Sequence, residues 1–357
     1  MLLYIPTKVY SENDCVRNHG RELASYGKKA LIVTGKYSSK KNGSLADVTE
    51  ALEQMGVDYV VFEDIEENPS VETVMSARDF GIKEHVDFVI GIGGGSPLDA
   101  SKAIAIMIAN PDANSAVLYE NRVLKHLPVI SVPTTCGTGS EVTPYAILTL
   151  HKERTKRGIS HRVFPELALL DATYLKTMSR SNLINTAVDA LAHLVESYLN
   201  TNANELNKTY SREGLRTWAS ISRPLASDTL TDEDFTKLMH ASMLGGMAIS
   251  HTGTSLPHGL SYSVTYELGV PHGKAVGMFL GKYVKMYQAK EDAGQVLQLL
   301  GFADADAFES YLQELLGKVE VDEALMLENA KGLLQNPAKL KNYPYAVTVE
   351  ELVNMAN

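Results

Sequence analysis

The chain has 357 residues, more than one hydrophobic core usually supports, so two domains are expected. Its composition, 45% hydrophobic and 21% charged with a formal net charge of -10, argues against a general binder of nucleic acid or of anionic membranes, which needs a basic face. The two cysteines, Cys15 and Cys136, show no Cys-x-x-Cys spacing, which speaks against a disulfide framework. The first residues lack the basic-then-apolar order of a secretory signal, and no apolar run approaches the ~20 residues that span a bilayer. A cytoplasmic location is the expectation.

The first half alternates short apolar runs with amphipathic stretches. Residues 29–34 read as a buried strand ended by Gly35, and the short basic loop 36–41 follows. The periodicity predicts a helix over 45–55, a strand at 58–62 and a helix over 70–81 with Ser70 as its N-cap. A strand at 87–91 leads into Gly93-Gly94-Gly95-Ser96-Pro97 and a helix through Ala109, and 128–132 is a further strand. Residues 145–150 and 166–171 read as strands closing this half, with the charged stretch 152–162 an exposed hairpin or loop between them. Strands too apolar to have a wet face imply a parallel sheet covered by helices on both sides. From Ser181 helical periodicity dominates, with breaks expected at Arg223-Pro224, around 251–257 and near Pro271. The expected domains are therefore 1–178, an α/β unit with a parallel sheet, and 179–357, an all-α unit.

The glycine turn follows a strand and opens a helix, a context suited to a dinucleotide. Without a Cβ the backbone can approach a pyrophosphate, and the helix start offers free N–H groups and a favourable dipole. The spacing is neither Gly-x-Gly-x-x-Gly nor Walker-type, so a tight strand–helix turn explains the glycines equally well. A second turn, Pro133-Thr134-Thr135-Cys136-Gly137-Thr138-Gly139-Ser140-Glu141, supplies hydroxyls and flexible backbone. If both turns sit at carboxyl ends of neighbouring parallel strands, they converge where open α/β sheets bind ligands.

Downstream, Asp189 and His193 stand four apart on a predicted helix, one turn apart on one face. With His258 and His272, each in a Pro-His-Gly segment, they could complete a set of three nitrogens and one oxygen around one divalent cation, a set that suits zinc or ferrous iron. Taken singly, each has a bland reading as a capped or surface residue.

These motifs, together with Glu196 in Asp189-Ala-Leu-Ala-His193-x-x-Glu196, occur in the order found in iron-containing (group III) alcohol dehydrogenases, and the chain resembles that family over essentially its whole length. It looks most like the propanediol- and butanol-dehydrogenase-like members. The resemblance implies an N-terminal dinucleotide-binding α/β domain and a C-terminal helical domain, the architecture shared with dehydroquinate synthase. It implies Asp189, His193, His258 and His272 as ligands of Fe2+, with Zn2+ as the alternative. It further implies that Gly94, Gly95, Ser96 and Asp99 hold the pyrophosphate and nicotinamide side, that Thr134, Thr135 and Thr138 line the cofactor, and that Asn68 and Lys156 contact it. The activity implied is NAD(P)-linked oxidation of small primary alcohols or diols, and reduction of the aldehydes, by hydride transfer at an oxygen held by the metal.

Three departures modify the expectation. Many members carry a histidine where this chain has Tyr262, so Tyr262, His251 and the ribose hydroxyls are the candidates for carrying the proton, with His251 reading equally well as a structural histidine. The usual alanine of the threonine turn is Cys136. Members that prefer NAD tend to carry an aspartate after the first strand; here Gly35 stands there, followed by Lys36, Ser38, Ser39, Lys40 and Lys41, which favours NADP(H) over NAD(H). A homodimer or larger homo-oligomer is expected, with residues 2–5 as a strand that could pair across a two-fold axis. One rival is a dehydroquinate-synthase-like lyase. Its anionic substrate would demand cations near the metal, whereas Leu256, Pro257, Gly259, Leu260 and Tyr262 surround His258 in sequence. The other is a non-catalytic nucleotide-binding protein, which has no reason to keep four ligands.

Overall fold

Runs of Val, Ile and Leu in the first half become a six-stranded parallel sheet. The strands are β1 (Lys8–Ser11), β2 (Lys29–Thr34), β3 (Asp58–Phe62), β4 (Phe88–Gly93), β5 (Val129–Pro133) and β8 (Leu167–Leu170), in spatial order β1-β8-β5-β4-β2-β3. The computed structural model describes residues 3–356. They divide into two units, one spanning Ile5–Met178, the other running from Ser179 onward and including Tyr4.

Alternation along each strand feeds two cores in the first unit. Leu31, Val33, Val89 and Val129 pack with Val74, Ala77, Ala103 and Met107 on one face. Ala30, Ile32, Ile90, Ile130 and Leu169 pack with Val16, Val48 and Leu52 on the other. The helix Val71–Lys83 begins as expected, with Ser70 Oγ accepting from the Thr73 N–H at 3.1 Å. Because β4 and β5 pair in parallel with Gly93 opposite Pro133, the glycine and threonine turns emerge side by side at the carboxyl end of the sheet.

Several local expectations change. Residues 147–150 do not join the main sheet: β6 (Ile147–Leu150) pairs antiparallel with β7 (Thr155–Gly158) as a separate hairpin, which gives the charged stretch a strand of its own. The basic loop contains a helical turn, Ser38–Lys41. Leu2 lies outside the described residues, and residues 3–5 form no strand.

The second unit is helical among its described residues. Its centre is the helix Arg180–Tyr198, buried almost all round from Leu183 onward, as a helix enclosed by others should be. The helices Lys208–Ser227, Asp232–Thr252 and His272–Met286 pack against it. The break expected at Pro224 does not occur. Pro224 sits in the last turn of Lys208–Ser227, where a missing N–H costs one hydrogen bond, and its carbonyl accepts the capping N–H of Asp228. The breaks at 253–255 and 269–271 do occur, flanking the helix Leu256–Leu268. No helix among the described residues is long and apolar enough to cross a membrane.

Candidate metal centre and dinucleotide turn

Asp189 and His193 lie one turn apart on the buried Arg180–Tyr198 helix, while His258 and His272 open the first turns of Leu256–Leu268 and His272–Met286. All converge on one oxygen. Asp189 Oδ1 is 3.3 Å from His258 Nε2, 3.8 Å from His272 Nε2 and 3.9 Å from His193 Nε2. One ligand atom from each of Asp189, His258 and His272 falls within 4.8 Å of the others. The His193 and His258 rings stack at 4.6 Å between centroids.

Asp189 Oδ1 and His258 Nε2 are buried and have no hydrogen-bond partner. Leaving such atoms unmade costs about 1–3 kcal/mol each, so the arrangement calls for something between them. A divalent cation fits the grouped donors, the Asp189 carboxylate with the imidazoles of His258 and His272, and this set suits iron or zinc alike; His193 lies outside that group, its Nε2 3.9 Å from Asp189 Oδ1. Burial opposes the charge on Asp189, yet His193, His258 and His272 hold its carboxyl well below the usual range. Burial also opposes a charged His258, but Glu196 and Asp189 outweigh it and push that imidazole up.

Glu196 had no assigned role in the sequence reading, although it belongs to the same motif. It is fully buried, and its Oε1 accepts from the N–H groups of Ser255 at 2.8 Å and His258 at 3.2 Å. Its Oε2 meets His258 Nδ1. The available signal was its helical phase, one turn beyond His193 on an otherwise apolar face.

The glycine of the second Pro-His-Gly segment has a steric cause. A Cβ on Gly273 would lie 1.8 Å from the backbone oxygen of Asn185, so only glycine lets this helix approach the central one closely. Of the two relay candidates, Tyr262 stacks beside His272, with ring centroids 5.9 Å apart. His251 is differently employed. Its Nδ1 meets the Met247 carbonyl at 2.7 Å, and its Nε2 accepts the Tyr4 N–H at 3.1 Å, so both nitrogens serve backbone, as the structural reading of this residue expects.

In the first unit the glycine and threonine turns interlock. A Cβ on Gly94 would come within 3.0 Å of Thr135 Cγ2, and one on Gly95 within 2.6 Å of Thr138 Cγ2. Gly94, Gly95, Ser96, Thr135 and Thr138 are partly exposed, whereas Thr134 is buried. Asn68 comes to the same place. Its N–H donates to Ser96 Oγ at 3.0 Å, and its Oδ1 accepts from Lys156 Nζ at 2.7 Å.

Two expected cofactor residues make internal contacts. Asp99 accepts from Ser140 Oγ at 2.5 Å and from the Ile147 N–H at 2.8 Å. Ser39 is buried, with its hydroxyl 2.8 Å from Thr34 Oγ1. Gly35 and Ser38 stay at least partly accessible. Of the lysines expected to offer charge there, Lys36 pairs with Asp64 at 3.0 Å, Lys40 pairs with Glu63, and Lys41 donates to the Thr177 carbonyl.

Beneath the turns lies a charged group that the sequence reading passed over. Lys102, fully buried, donates to Ser140 O at 2.8 Å, Ser140 Oγ at 2.7 Å and Tyr145 O at 2.8 Å. Burial pulls its ammonium down to about 8 against the attraction of Asp99 and Glu141. Glu141 is buried too, with Oε1 lacking a hydrogen-bond partner, and burial pushes its carboxyl up to about 7. A carboxyl raised on folding contributes stability that is complete below its ordinary value and lost as pH rises through the raised one. Glu141→Gln should therefore gain roughly 2 kcal/mol on the wild type between about pH 5 and about pH 8. Urea unfolding at both pH values checks this; a constant difference between the proteins would refute it.

The profile described as Iron-containing alcohol dehydrogenase matches residues 6–172, and that of the Fe-containing alcohol dehydrogenase family, C-terminal, matches residues 183–332. The chain belongs to the iron-containing alcohol dehydrogenase family. A crystal structure of an iron-containing alcohol dehydrogenase from Thermotoga maritima is similar at 38% identity and TM-score 0.92, covering 99% of this chain and 98% of that one. A mitochondrial hydroxyacid-oxoacid transhydrogenase of Caenorhabditis elegans is 30% identical over 279 residues, 70% of this chain, and the match spans 59% of that relative's length. NADPH-dependent butanol dehydrogenase of Clostridium saccharobutylicum is 28% identical over 265 residues, 72% of this chain and 68% of that protein.

Proposed function

We propose that the protein is a metal-dependent, NAD(P)-linked alcohol dehydrogenase and aldehyde reductase acting on small primary alcohols or diols. The observation that carries this reading is the convergence of His193, His258 and His272 on Asp189, with Asp189 Oδ1 and His258 Nε2 buried and unpartnered. Asp189, His193, His258 and His272 would hold ferrous iron or zinc, which supplies the Lewis acidity that polarises the substrate oxygen. The chain's other residues bind and orient. Gly94 and Gly95 open the helix Gly95–Ala109, whose first-turn N–H groups and dipole suit a pyrophosphate. Thr135, Thr138, Asn68 and Lys156 border the same turn, and Tyr262, stacked on His272, is placed to pass a proton outward. The alternating α/β unit and the helical unit are proposed to part at residue 178. Assembly as a homodimer or larger homo-oligomer rests on the resemblance alone, and sedimentation tests it.

Preference for NADP(H) rests on Gly35, where an aspartate would repel a 2′-phosphate. The butanol dehydrogenase relative, named as NADPH-dependent, supports this reading. The pairing of Lys36 and Lys40 with Asp64 and Glu63 narrows the margin, because those ammonium groups are already partly neutralised. A Cβ at Gly35 would meet Ile65 O at 3.3 Å, a backbone contact that must ease by a few tenths of an ångström, so Gly35→Asp is read beside Gly35→Ala as its steric control. Gly35→Asp should raise KM for NADPH at least about tenfold, the equivalent of ~1.4 kcal/mol, and leave NADH little changed. An unchanged ratio would remove Gly35 from the argument.

The decisive experiment is metal analysis of the purified protein combined with NADPH and NADH oxidation against a panel of small aldehydes. Stoichiometric iron or zinc with aldehyde-dependent oxidation is expected. Metal without turnover on any aldehyde, or turnover indifferent to chelation, would refute the reading.

A further inference from the structure

Glu196 lies in the best-enclosed part of the centre, yet it is not one of the groups that converge on Asp189 Oδ1. Its two oxygens are spent differently. Oε1 faces two backbone donors, the N–H of Ser255 at 2.8 Å and of His258 at 3.2 Å, at the start of the helix Leu256–Leu268. Oε2 faces His258 Nδ1. The carboxylate is fully buried, so water does not compete for either oxygen. On the far side of the same ring, Nε2 points at Asp189 Oδ1, 3.3 Å away, with no hydrogen-bond partner.

We propose that Glu196 is a positioning residue that fixes the tautomer and orientation of His258, keeping the proton on Nδ1 and the lone pair of Nε2 aimed into the metal centre. This rests on the reading of Asp189 and the imidazoles as a metal site. The physical logic is one of donors and acceptors. A carboxylate only accepts, so the Nδ1 that faces it carries the hydrogen, and a neutral ring with hydrogen on Nδ1 has Nε2 as its sole ligating atom. The same carboxylate pins the backbone N–H of His258, so ring and main chain are held by one group on the central helix. Partners of this kind typically contribute 10–100-fold in metal affinity.

Glu196→Gln is the sharp test, because it preserves shape and reverses one donor. The amide oxygen must stay with the N–H groups of Ser255 and His258, which turns the NH2 towards Nδ1. Only a bare Nδ1 can accept from it, so the hydrogen moves to Nε2 and blocks the ligating lone pair. Zinc affinity, read by competition with a chromophoric chelator where both metal-free proteins are folded, should fall at least about tenfold. A group that merely packs the core would alter the urea midpoint with unchanged affinity. In the zinc-loaded wild type, long-range proton–nitrogen NMR of 15N-histidine-labelled protein should show His258 with hydrogen on Nδ1, a readout that does not depend on the variant folding. Hydrogen on Nε2 there, or a Glu196→Gln protein binding zinc as tightly as the wild type, would overturn the proposal. Failure of the wild type itself to bind zinc would instead overturn the metal reading on which it stands.

Discussion

Exchanging His272 for alanine should strip the protein of its cation and its turnover while leaving it folded. The His272 side chain is 29% exposed, so its removal opens no sealed cavity, unlike the loss of the buried Asp189 or His258. Structural zinc sites bind with about 10–16 kcal/mol spread over four ligands, so one ligand is worth ~3 kcal/mol, roughly two orders of magnitude in affinity. Chelator competition with zinc or cobalt should register that loss, and NAD(P)H-linked turnover should drop to background at limiting metal. The metal-free urea midpoint should not move. Full metal content with undiminished turnover would remove His272 from the ligand set.

The neighbouring position carries the second large effect, through packing alone. Gly273→Ala places a Cβ 1.8 Å from Asn185 O and 2.6 Å from Asn185 C, backbone atoms that cannot rotate aside. The helix His272–Met286 must lift from the helix Arg180–Tyr198, at a cost of roughly 3 kcal/mol or more. Because His272 heads the displaced helix, zinc affinity should fall with stability. Gly259→Ala is the control. Its Cβ would meet only Leu333 Cδ1 at 2.9 Å, the end of a flexible side chain, and a loss of about 1 kcal/mol is expected. Equal midpoints for the two variants would refute the steric account.

Much of this was legible in the residues because the relevant signals are local. Strand runs such as residues 29–34 and 58–62 announce themselves through unbroken apolarity, and the Ser70 cap through a hydroxyl before an acidic first turn. The cluster of Asp189 with the histidines was readable since one-turn spacing and Pro-His-Gly survive as patterns. What escaped depended on tertiary context. Residues 147–150 look like any other strand; only the pairing partner, Thr155–Gly158, tells that they leave the parallel sheet. Pro224 reads as a breaker until the helix is seen to end within a turn of it.

The site shows the same division. Asp99, expected at the cofactor from the resemblance, and Ser39, expected there from its place in a polar loop, make contacts with Ser140 and Thr34 that no local pattern announces. His251 could have been relay or strut, and the strut reading follows only from the Tyr4 N–H at its Nε2. Lys102 passed unremarked because a lysine in a helix usually reaches solvent. Here it reaches two oxygens of Ser140 in the threonine turn and the Tyr145 carbonyl just beyond it, a destination some forty residues onward in the chain that no local pattern encodes.

The meshing of Thr135 with Gly94 and of Thr138 with Gly95 carries a consequence for descent. Neither loop drifts independently of the other: a side chain at either glycine must displace the opposing threonine side chain. Among homologues, larger residues at these glycines should therefore accompany smaller ones at the facing threonines.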